Sequence, residues 1–347
     1  MNTRIVQIQE ENMDRQALQE AGEIIKAGGL VAFPTETVYG LGGDALKASS
    51  SKKIYEAKGR PSDNPLIVHI AELKALYQIV KEVPPVAEVL AGRYWPGPLT
   101  MIFEKAGCVP LETTGGLATV AVRMPSSKIA RALIKAAGGY VAAPSANRSG
   151  RPSPTAARDV IEDLGGRVDM VIDGGEADIG LESTIIDLTG KIPMILRPGY
   201  ITEEMLREAV GNVGKDGAIM DENTPPKAPG MKYRHYAPRG SLTVVEGEQR
   251  QRAAYINQQL EGHRCQGQKT GVVATDETKA DYQADSVKSL GKRQKEEEAA
   301  RHLFRILREF DQEGVEVIYA ESFQRRGIGE AVMNRLLKAA GHQIIRL

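Results

Sequence analysis

The chain has 347 residues, 41% hydrophobic and 26% charged, and its 45 Lys plus Arg balance 45 Asp plus Glu. That length suits two domains, each with a core of its own. Zero net charge excludes a global field that would draw the whole molecule to nucleic acid or a membrane, so any anion site must be a local concentration of cations.

Taken in chain order, the first 200 residues alternate short apolar strands with amphipathic helices. The pattern predicts a helix over 14–27, a strand over 30–33, a helix over 50–56, a strand over 66–70 and helices over 73–80 and 86–93. Strands follow at 99–103 and 119–122, a helix at 127–137, a strand at 140–143 and a helix at 155–164. Strands at 170–172, 184–188 and 194–196 and a helix at 203–210 complete this part. Several strands succeed one another with no helix between, which predicts a mixed α/β sheet flanked by helices, not a purely parallel one.

Residues 212–240 change character. Three prolines fall within five residues, at Pro225, Pro226 and Pro229, among basic and aromatic side chains without periodicity. Such a run cannot continue a helix or a central strand. It reads as an interdomain linker, or as a segment that docks on a surface and carries function. From residue 241 a smaller unit appears, with strands at 242–245, 270–274 and 315–320 and helices at 248–260, 296–309 and 328–339. This order suggests a Rossmann-like three-layer domain. The expected domains are therefore 1–211, 212–240 and 241–347.

Only two cysteines are present, Cys108 and Cys265, and the five histidines are scattered. This argues against a disulfide framework or a zinc-ligand spacing. The N-terminus lacks the apolar core of a signal peptide. No apolar run approaches the roughly 20 residues of a membrane span. A cytoplasmic protein without a membrane partner is expected.

Chemistry concentrates at strand ends. The loop from Phe33 to Asp44 holds Thr35, Glu36, Thr37, Tyr39 and three glycines, yet it is neither a Walker loop nor Gly-x-Gly-x-x-Gly. Lys58-Gly59-Arg60 lies between a helix and a strand. It reads either as cations complementing a helix dipole or as a point charge and a planar fork for phosphate oxygens. Pro144-Ser145-Ala146-Asn147 follows an apolar strand. It is either a turn or, if it converges with Lys58 and Arg60, one wall of a polar pocket. Ser145 has no evident base beside it, so a serine nucleophile is not expected. Arg123, at a strand end, calls for an anionic partner, either a core carboxylate or a substrate carboxylate. His69 sits inside a strand, where core histidines are common. Hydroxyls at Ser183 and Thr184 and a cation at Arg197 recur at further strand termini, where α/β sheets bind ligands.

The motifs Pro34-Thr35-Glu36-Thr37-Val38-Tyr39-Gly40-Leu41-Gly42, Lys58-Gly59-Arg60-Pro61, Pro65-Leu66-Ile67-Val68-His69 and Trp95-Pro96-Gly97-Pro98-Leu99-Thr100 are followed by Arg123-Met124-Pro125 and Pro144-Ser145-Ala146-Asn147. Ser183-Thr184-Ile185 and Leu196-Arg197-Pro198-Gly199 complete the series. In this order they resemble the threonylcarbamoyl-AMP synthase (YrdC-like) family in its long two-domain form. The resemblance is dense over about the first 200 residues and extends to Pro229–Tyr236, which looks like that form's linker. It implies condensation of L-threonine, bicarbonate or carbon dioxide, and ATP to L-threonylcarbamoyl-AMP with release of pyrophosphate. Partner proteins would then transfer the threonylcarbamoyl group to an adenosine next to the anticodon of certain tRNAs.

The same resemblance implies site roles. Thr37, His69, Arg123, Ala143 through its backbone, and Ser183 would hold threonine, with Thr35 close by. Lys58, Arg60, Asn64, Thr119, Ser145, Ser153 and Arg197 would hold ATP, with Asn147 on the same wall and Tyr236 covering the nucleotide. Lys58, Arg60, Ser145 and Asn147 are the expected catalytic group. Mg2+ would come with the phosphates, without a metal site in the protein itself.

The sequence admits three rival readings. Gln324-Arg325-Arg326-Gly327-Ile328-Gly329 resembles the pyrophosphate turn of acetyltransferases, but too few residues follow it to complete that fold. An RNA- or nucleotide-binding role without synthase activity is weakened by net neutrality and only 5% aromatic residues, although weak tRNA contact stays open. A carbamoyltransferase of the related hydrogenase-maturation kind would carry zinc-finger and acylphosphatase modules, which are absent here.

Overall fold

The computed structural model describes residues 2–215 and 235–347. They form two compact units. The first holds the described residues up to Lys215 except 150–152 and 179–181; the second holds those two short pieces and the residues from His235 on. Most of the expected linker, 216–234, lies outside the described residues.

The first unit begins with β1 (Arg4–Gln7), α1 (Arg15–Lys26), β2 (Val31–Phe33), β3 (Gly40–Asp44), α2 (Ala48–Lys58) and β4 (Ile67–His69). After a 3-10 turn at Leu73–Ala75 come α3 (Leu76–Ile79), α4 (Pro85–Tyr94), β5 (Leu99–Glu104), β6 (Thr119–Arg123), α5 (Lys128–Ala136) and β7 (Val141–Ala142). It closes with α6 (Ala157–Leu164), β8 (Met170–Asp173), β9 (Thr184–Asp187), β10 (Met194–Arg197), α7 (Glu203–Val210) and β11 (Gly214–Lys215). Among the described residues these strands make one mixed sheet, in the order β1-β8-β2-β3-β7-β4-β6-β5-β9-β10-β11.

Strand alternation sorts the side chains to two faces. Val31 and Phe33 join Val141, Met170 and Ile172 against Leu18, Ala21 and Ile25 of α1 and Ile129, Leu133 and Ile134 of α5. Ala32, between them in sequence, packs with Val68, Val122 and Phe103 against Ile54, Leu90 and Val160 on the other face. Both helices of the first cluster start from side-chain caps: Asp14 accepts from Ala17 N at 3.0 Å and Ser127 from Ala130 N at 3.3 Å.

Three differences from the sequence reading matter. The glycines at 40–43 lie in a strand, β3, not in an open loop. A Cβ on Gly42 would stand 2.9 Å from both Phe33 Cε1 and Val141 Cγ1, so glycine is required there by neighbouring core side chains. The helix expected over 73–80 is a 3-10 turn plus a four-residue helix, because Val80 turns extended and bridges to Lys105. Strands β1 and β11 are short and at the two sheet edges, where the apolar signal is weakest.

The second unit comprises β12 (Ser241–Glu246), α8 (Gln249–Cys265), β13 (Thr270–Ala274), β14 (Ser286–Ser289), α9 (Glu296–Glu313), β15 (Val317–Glu321), α10 (Gly327–Ala339) and β16 (Ile344–Arg346). Its sheet is parallel throughout, in the order β14-β13-β15-β12-β16. The Rossmann-like expectation holds, with β14 and β16 added as half-exposed edge strands. The start of β15 is later than expected because Gly314, at φ 70°, ends α9 in a left-handed cap and Val315 N closes that turn on Phe310 O at 3.0 Å.

Candidate active site

Register places the chemistry. Val141, His69, Arg123, Thr100, Ile185 and Arg197 are successive cross-strand partners on β7, β4, β6, β5, β9 and β10. Directly paired residues share a sheet face, so four polar side chains from distant parts of the chain stand in one row. Alternation adds Ile67, Ile102 and Ala121 to the same face as a small apolar floor, closed by Leu196.

Arg123 is the centre of this row. Its Nη2 donates to Glu36 Oε1 at 2.6 Å, its Nη1 to Thr37 Oγ1 at 2.9 Å and its Nε to Gly97 O at 3.3 Å. Both members of the Arg123–Glu36 pair are buried. Thr35 Oγ1 lies 2.8 Å from Thr37 Oγ1 and donates to Val38 O at 2.6 Å, which fixes the loop. Burial alone would raise the Glu36 pKa, but the Arg123 charge and hydrogen bond outweigh it and hold the carboxyl below its ordinary range. Beside it, His69 is pushed down to about 3, by burial first and by the Arg123 charge second. Its Nδ1 faces Ile67 O at 3.1 Å, so this nitrogen carries the hydrogen of a neutral ring. The anionic partner that the sequence demanded for Arg123 is thus a core carboxylate, Glu36. A guanidinium has five N–H groups, and the three contacts above leave two for a further acceptor.

At the other end of the row, Ser183 Oγ lies 2.7 Å from Thr100 Oγ1. Arg197 donates to Ser183 O through Nε at 3.1 Å and Nη2 at 2.9 Å, and Nη2 also reaches Ser183 Oγ at 3.2 Å. Arg197 therefore orients Ser183.

The two loops do converge. Gly59, left-handed at φ 62°, ends α2 and sends the chain back so that Lys58 and Arg60 diverge. Lys58 Nζ donates to Ser145 O at 2.5 Å, to Asn147 O, and to Asn147 Oδ1 at 3.3 Å. Ser145 Oγ donates to Asn147 Oδ1 at 2.5 Å. Arg60 turns to its own loop, with Nε on Asn64 O at 3.2 Å and Nη2 on Pro65 O at 3.1 Å. The Asn64 side chain is fully buried, and no described residue hydrogen-bonds either end of its amide. Both ends of this buried amide are open to a further hydrogen-bond partner.

Thr119 is half-buried at the start of β6, four residues from Arg123 and so about 13 Å along the strand. Ser153 is buried and donates to Glu182 Oε1 at 2.5 Å. The Ala143 amide is bonded to Ile67 O at 2.9 Å, leaving its carbonyl as the group to offer. Tyr236 belongs to the second unit, where its ring packs 5.1 Å from that of Phe304. Glu36, Thr100 and Glu182 were given no role in the site from the sequence. The signal for Thr100 was available, since alternation in Leu99–Glu104 places it with Ile102 and away from Leu99, Met101 and Phe103.

A cleft of about 670 Å³ shares Thr35 and Glu36 with this site, but Glu10, Glu11, Asp173, Glu176 and Asp178 also line it. Those carboxylates would repel a triphosphate, so the anion site is marked by the basic residues, not by this cleft. In the second unit, the Gln324–Gly329 turn opens α10, and Gly329 N already donates to Glu296 Oε2 at 2.8 Å. The helix end proposed for a pyrophosphate is thus engaged by the chain's own carboxylate.

Comparisons with known proteins show the family and the fold. A family model described as "Telomere recombination" matches residues 23–199, and one described as "Threonylcarbamoyl-AMP synthase, C-terminal domain" matches residues 201–341. The threonylcarbamoyl-AMP synthase of Pyrococcus abyssi is 48% identical over 97% of this chain and 98% of its own length. That of Bacillus subtilis is 46% identical over 95% and 94%. A crystal structure of P. abyssi Sua5 complexed with L-threonine superimposes with a TM-score of 0.94 at 47% identity, covering 99% of this chain and 100% of that one.

Proposed function

The chain belongs to the threonylcarbamoyl-AMP synthase family, and from that premise we propose the reaction and the part each residue plays in it. The amine of L-threonine adds carbon dioxide, drawn from bicarbonate, to give an N-carboxylate. A carboxylate oxygen attacks the α-phosphorus of ATP, the bond to the β-phosphate oxygen breaks, and pyrophosphate leaves with L-threonylcarbamoyl-AMP as product. No side-chain nucleophile is needed; positioning and charge stabilisation carry the step.

The observation that carries the reading is the row His69–Arg123–Thr100–Arg197 beside the joined Lys58 and Ser145–Asn147 loops. Arg123 has two N–H groups for the threonine carboxylate, with Thr37, Ser183 and the Ala143 carbonyl around the rest of the amino acid. A neutral His69 adds a polar edge without a second cation. Arg60, Asn64, Thr119, Ser145, Ser153 and Arg197 are assigned to ATP, with Lys58 and Asn147 holding the wall they share.

Mg2+ is assigned to the triphosphate oxygens, where it would arrive with the nucleotide. The product is assigned to proteins that modify tRNA next to the anticodon, with at most weak tRNA contact by this chain. A reducing cytoplasm suits the two exposed, free cysteines, and no helix among the described residues is long and apolar enough to cross a membrane.

The test is pyrophosphate release from ATP and Mg2+ with threonine and bicarbonate supplied together and each omitted in turn. Release that requires both is the expected result. Release indifferent to threonine would overturn the reading.

A further inference from the structure

We propose that Glu36 is a positioning residue for the amino-acid substrate: by holding Arg123 it fixes the direction in which the guanidinium presents its two remaining N–H groups to the substrate α-carboxylate. The proposal rests on the threonine reading of Arg123 given above.

The geometry is specific. Arg123 stands at the end of β6 on a long side chain whose rotamer freedom must be removed before its fork can recognise a carboxylate. Thr37 and Gly97 each take one N–H, but both are neutral acceptors. Glu36 supplies the ion-paired bond, at 2.6 Å to Nη2. The second oxygen of Glu36 lies 3.5 Å from Ser127 N, at the N-terminus of α5. The carboxylate is therefore held between a guanidinium and a helix N-terminus, both of which favour its charged form and oppose its rotation. Position 36 itself lies between two threonines whose hydroxyls bond to each other, so its backbone is fixed as well. Glu36 does not touch the reacting atoms in this scheme; it acts through Arg123.

A structural role for Glu36 and a positioning role predict different kinetics. A carboxylate that only caps α5 or neutralises a buried cation would, on removal, lower stability and reduce turnover for all substrates alike. A carboxylate that aims the Arg123 fork should affect carboxylate recognition selectively.

The experiment compares wild type, Glu36→Gln and Arg123→Lys in pyrophosphate release, measuring KM for threonine and for ATP and the inhibition constant of L-threoninamide. Threoninamide keeps the side chain and amine but lacks the carboxylate charge. Glu36→Gln is expected to raise KM for threonine about tenfold or more, leave KM for ATP within about twofold, and leave threoninamide inhibition nearly unchanged. Unchanged threonine KM, or an equal loss for threonine, threoninamide and ATP, would overturn the proposal. If Glu36→Gln does not fold, Glu36→Asp keeps the charge but draws it back from Arg123, and the same selective rise in threonine KM is required of it. Two controls separate this failure from that of the wider reading. Wild type without threonine-dependent release, or Arg123→Lys with unchanged threonine KM, would remove the premise and the proposal with it.

Discussion

Lys58 Nζ donates both to Asn147 O and, at 3.3 Å, to Asn147 Oδ1, a bond between residues 89 positions apart. With Ser145 O at 2.5 Å, the ammonium has three acceptors on one loop. The lysine is therefore a clasp between two loops before it is anything else. Lys58→Met should leave three acceptors, two of them buried, without this donor and lower stability by about 2–4 kcal/mol. Thermal unfolding would show the midpoint falling by several degrees, alongside a large loss of turnover. Lys58→Arg should recover little, because a planar fork cannot reproduce three donors diverging from one point. An unchanged midpoint in Lys58→Met would mean that the side chain serves the nucleotide alone.

That clasp shows what the sequence disclosed and what it could not. The residue types at strand ends were legible, as was the consequence if the loops around Lys58 and Ser145 met. The direction of Lys58 was not, because its place at the end of α2 does not reveal whether it faces a ligand or a carbonyl. The mixed sheet was legible from strands that follow one another without helices. The row His69–Arg123–Thr100–Arg197 was not, since it depends on register between strands that are remote in sequence. Strand β3 escaped because Gly40, Gly42 and Gly43 carry no β signal, although their neighbours Phe33 and Val141 demand small residues there.

Glu36 and Arg123 make the acid limb of stability depend on one pair. The folded-state pKa of Glu36 lies below its ordinary 4.5. The unfolded chain therefore binds the proton more readily, and the stabilisation is complete above about pH 4.5 and lost as pH falls through the lower folded value. Glu36→Gln should be less stable at neutral pH, by about 3–5 kcal/mol if Arg123 stays buried without its anion. Its unfolding midpoint should also fall less steeply below pH 4.5 than that of wild type. Parallel acid limbs in the two proteins would contradict the pairing.

His69 governs a higher window. Its ordinary pKa of 6.5 is depressed to about 3 in the fold. The unfolded chain gains a proton near 6.5 that the folded chain refuses, so stability is full above 6.5 and is lost progressively down to about 3. His302, whose pKa is also lowered by partial burial, contributes in the same direction. His69→Gln should flatten the decline in unfolding midpoint between pH 6.5 and 5 but not abolish it. In the folded enzyme His69 stays neutral across physiological pH, so KM for threonine should show no histidine inflection between about pH 6 and 8. A clear inflection there that disappears in His69→Gln would refute the buried neutral state.

Gly199 follows Arg197 and Pro198 and lies against the start of β9. A Cβ at this position would meet Thr184 N at 2.4 Å and Ser183 C at 2.8 Å. These are backbone atoms, and Thr184 N is already bonded to Pro98 O at 3.0 Å. Gly199→Ala must therefore push the 183–184 backbone away from Arg197, at a cost of about 1–3 kcal/mol. Since Thr100 and Arg197 both hold Ser183, the displacement should reach the site as a raised KM for threonine with a lowered unfolding midpoint. A variant with wild-type values of both would mean that the backbone here yields freely.

Asn64 offers the sharpest separation of function from stability. Its side chain is fully buried, and neither amide atom has a hydrogen-bond partner among the described residues. Its backbone is well used: Asn64 O accepts from Arg60 Nε at 3.2 Å and from Tyr55 Oη at 3.2 Å. The side chain therefore contributes little to holding the loop and carries the cost of an unpaired buried amide, about 1–3 kcal/mol. Leucine has a similar shape and no polar atoms. Asn64→Leu should keep the loop and, without nucleotide, unfold at the same or a higher temperature, with a gain of up to about 1 kcal/mol. The same change should weaken ATP, seen as a KM for ATP raised about tenfold with KM for threonine little altered. Calorimetric titration with a non-hydrolysable ATP analogue would test binding without chemistry. A less stable Asn64→Leu with unchanged ATP affinity would show that the amide is bonded inside the protein and does not wait for a ligand.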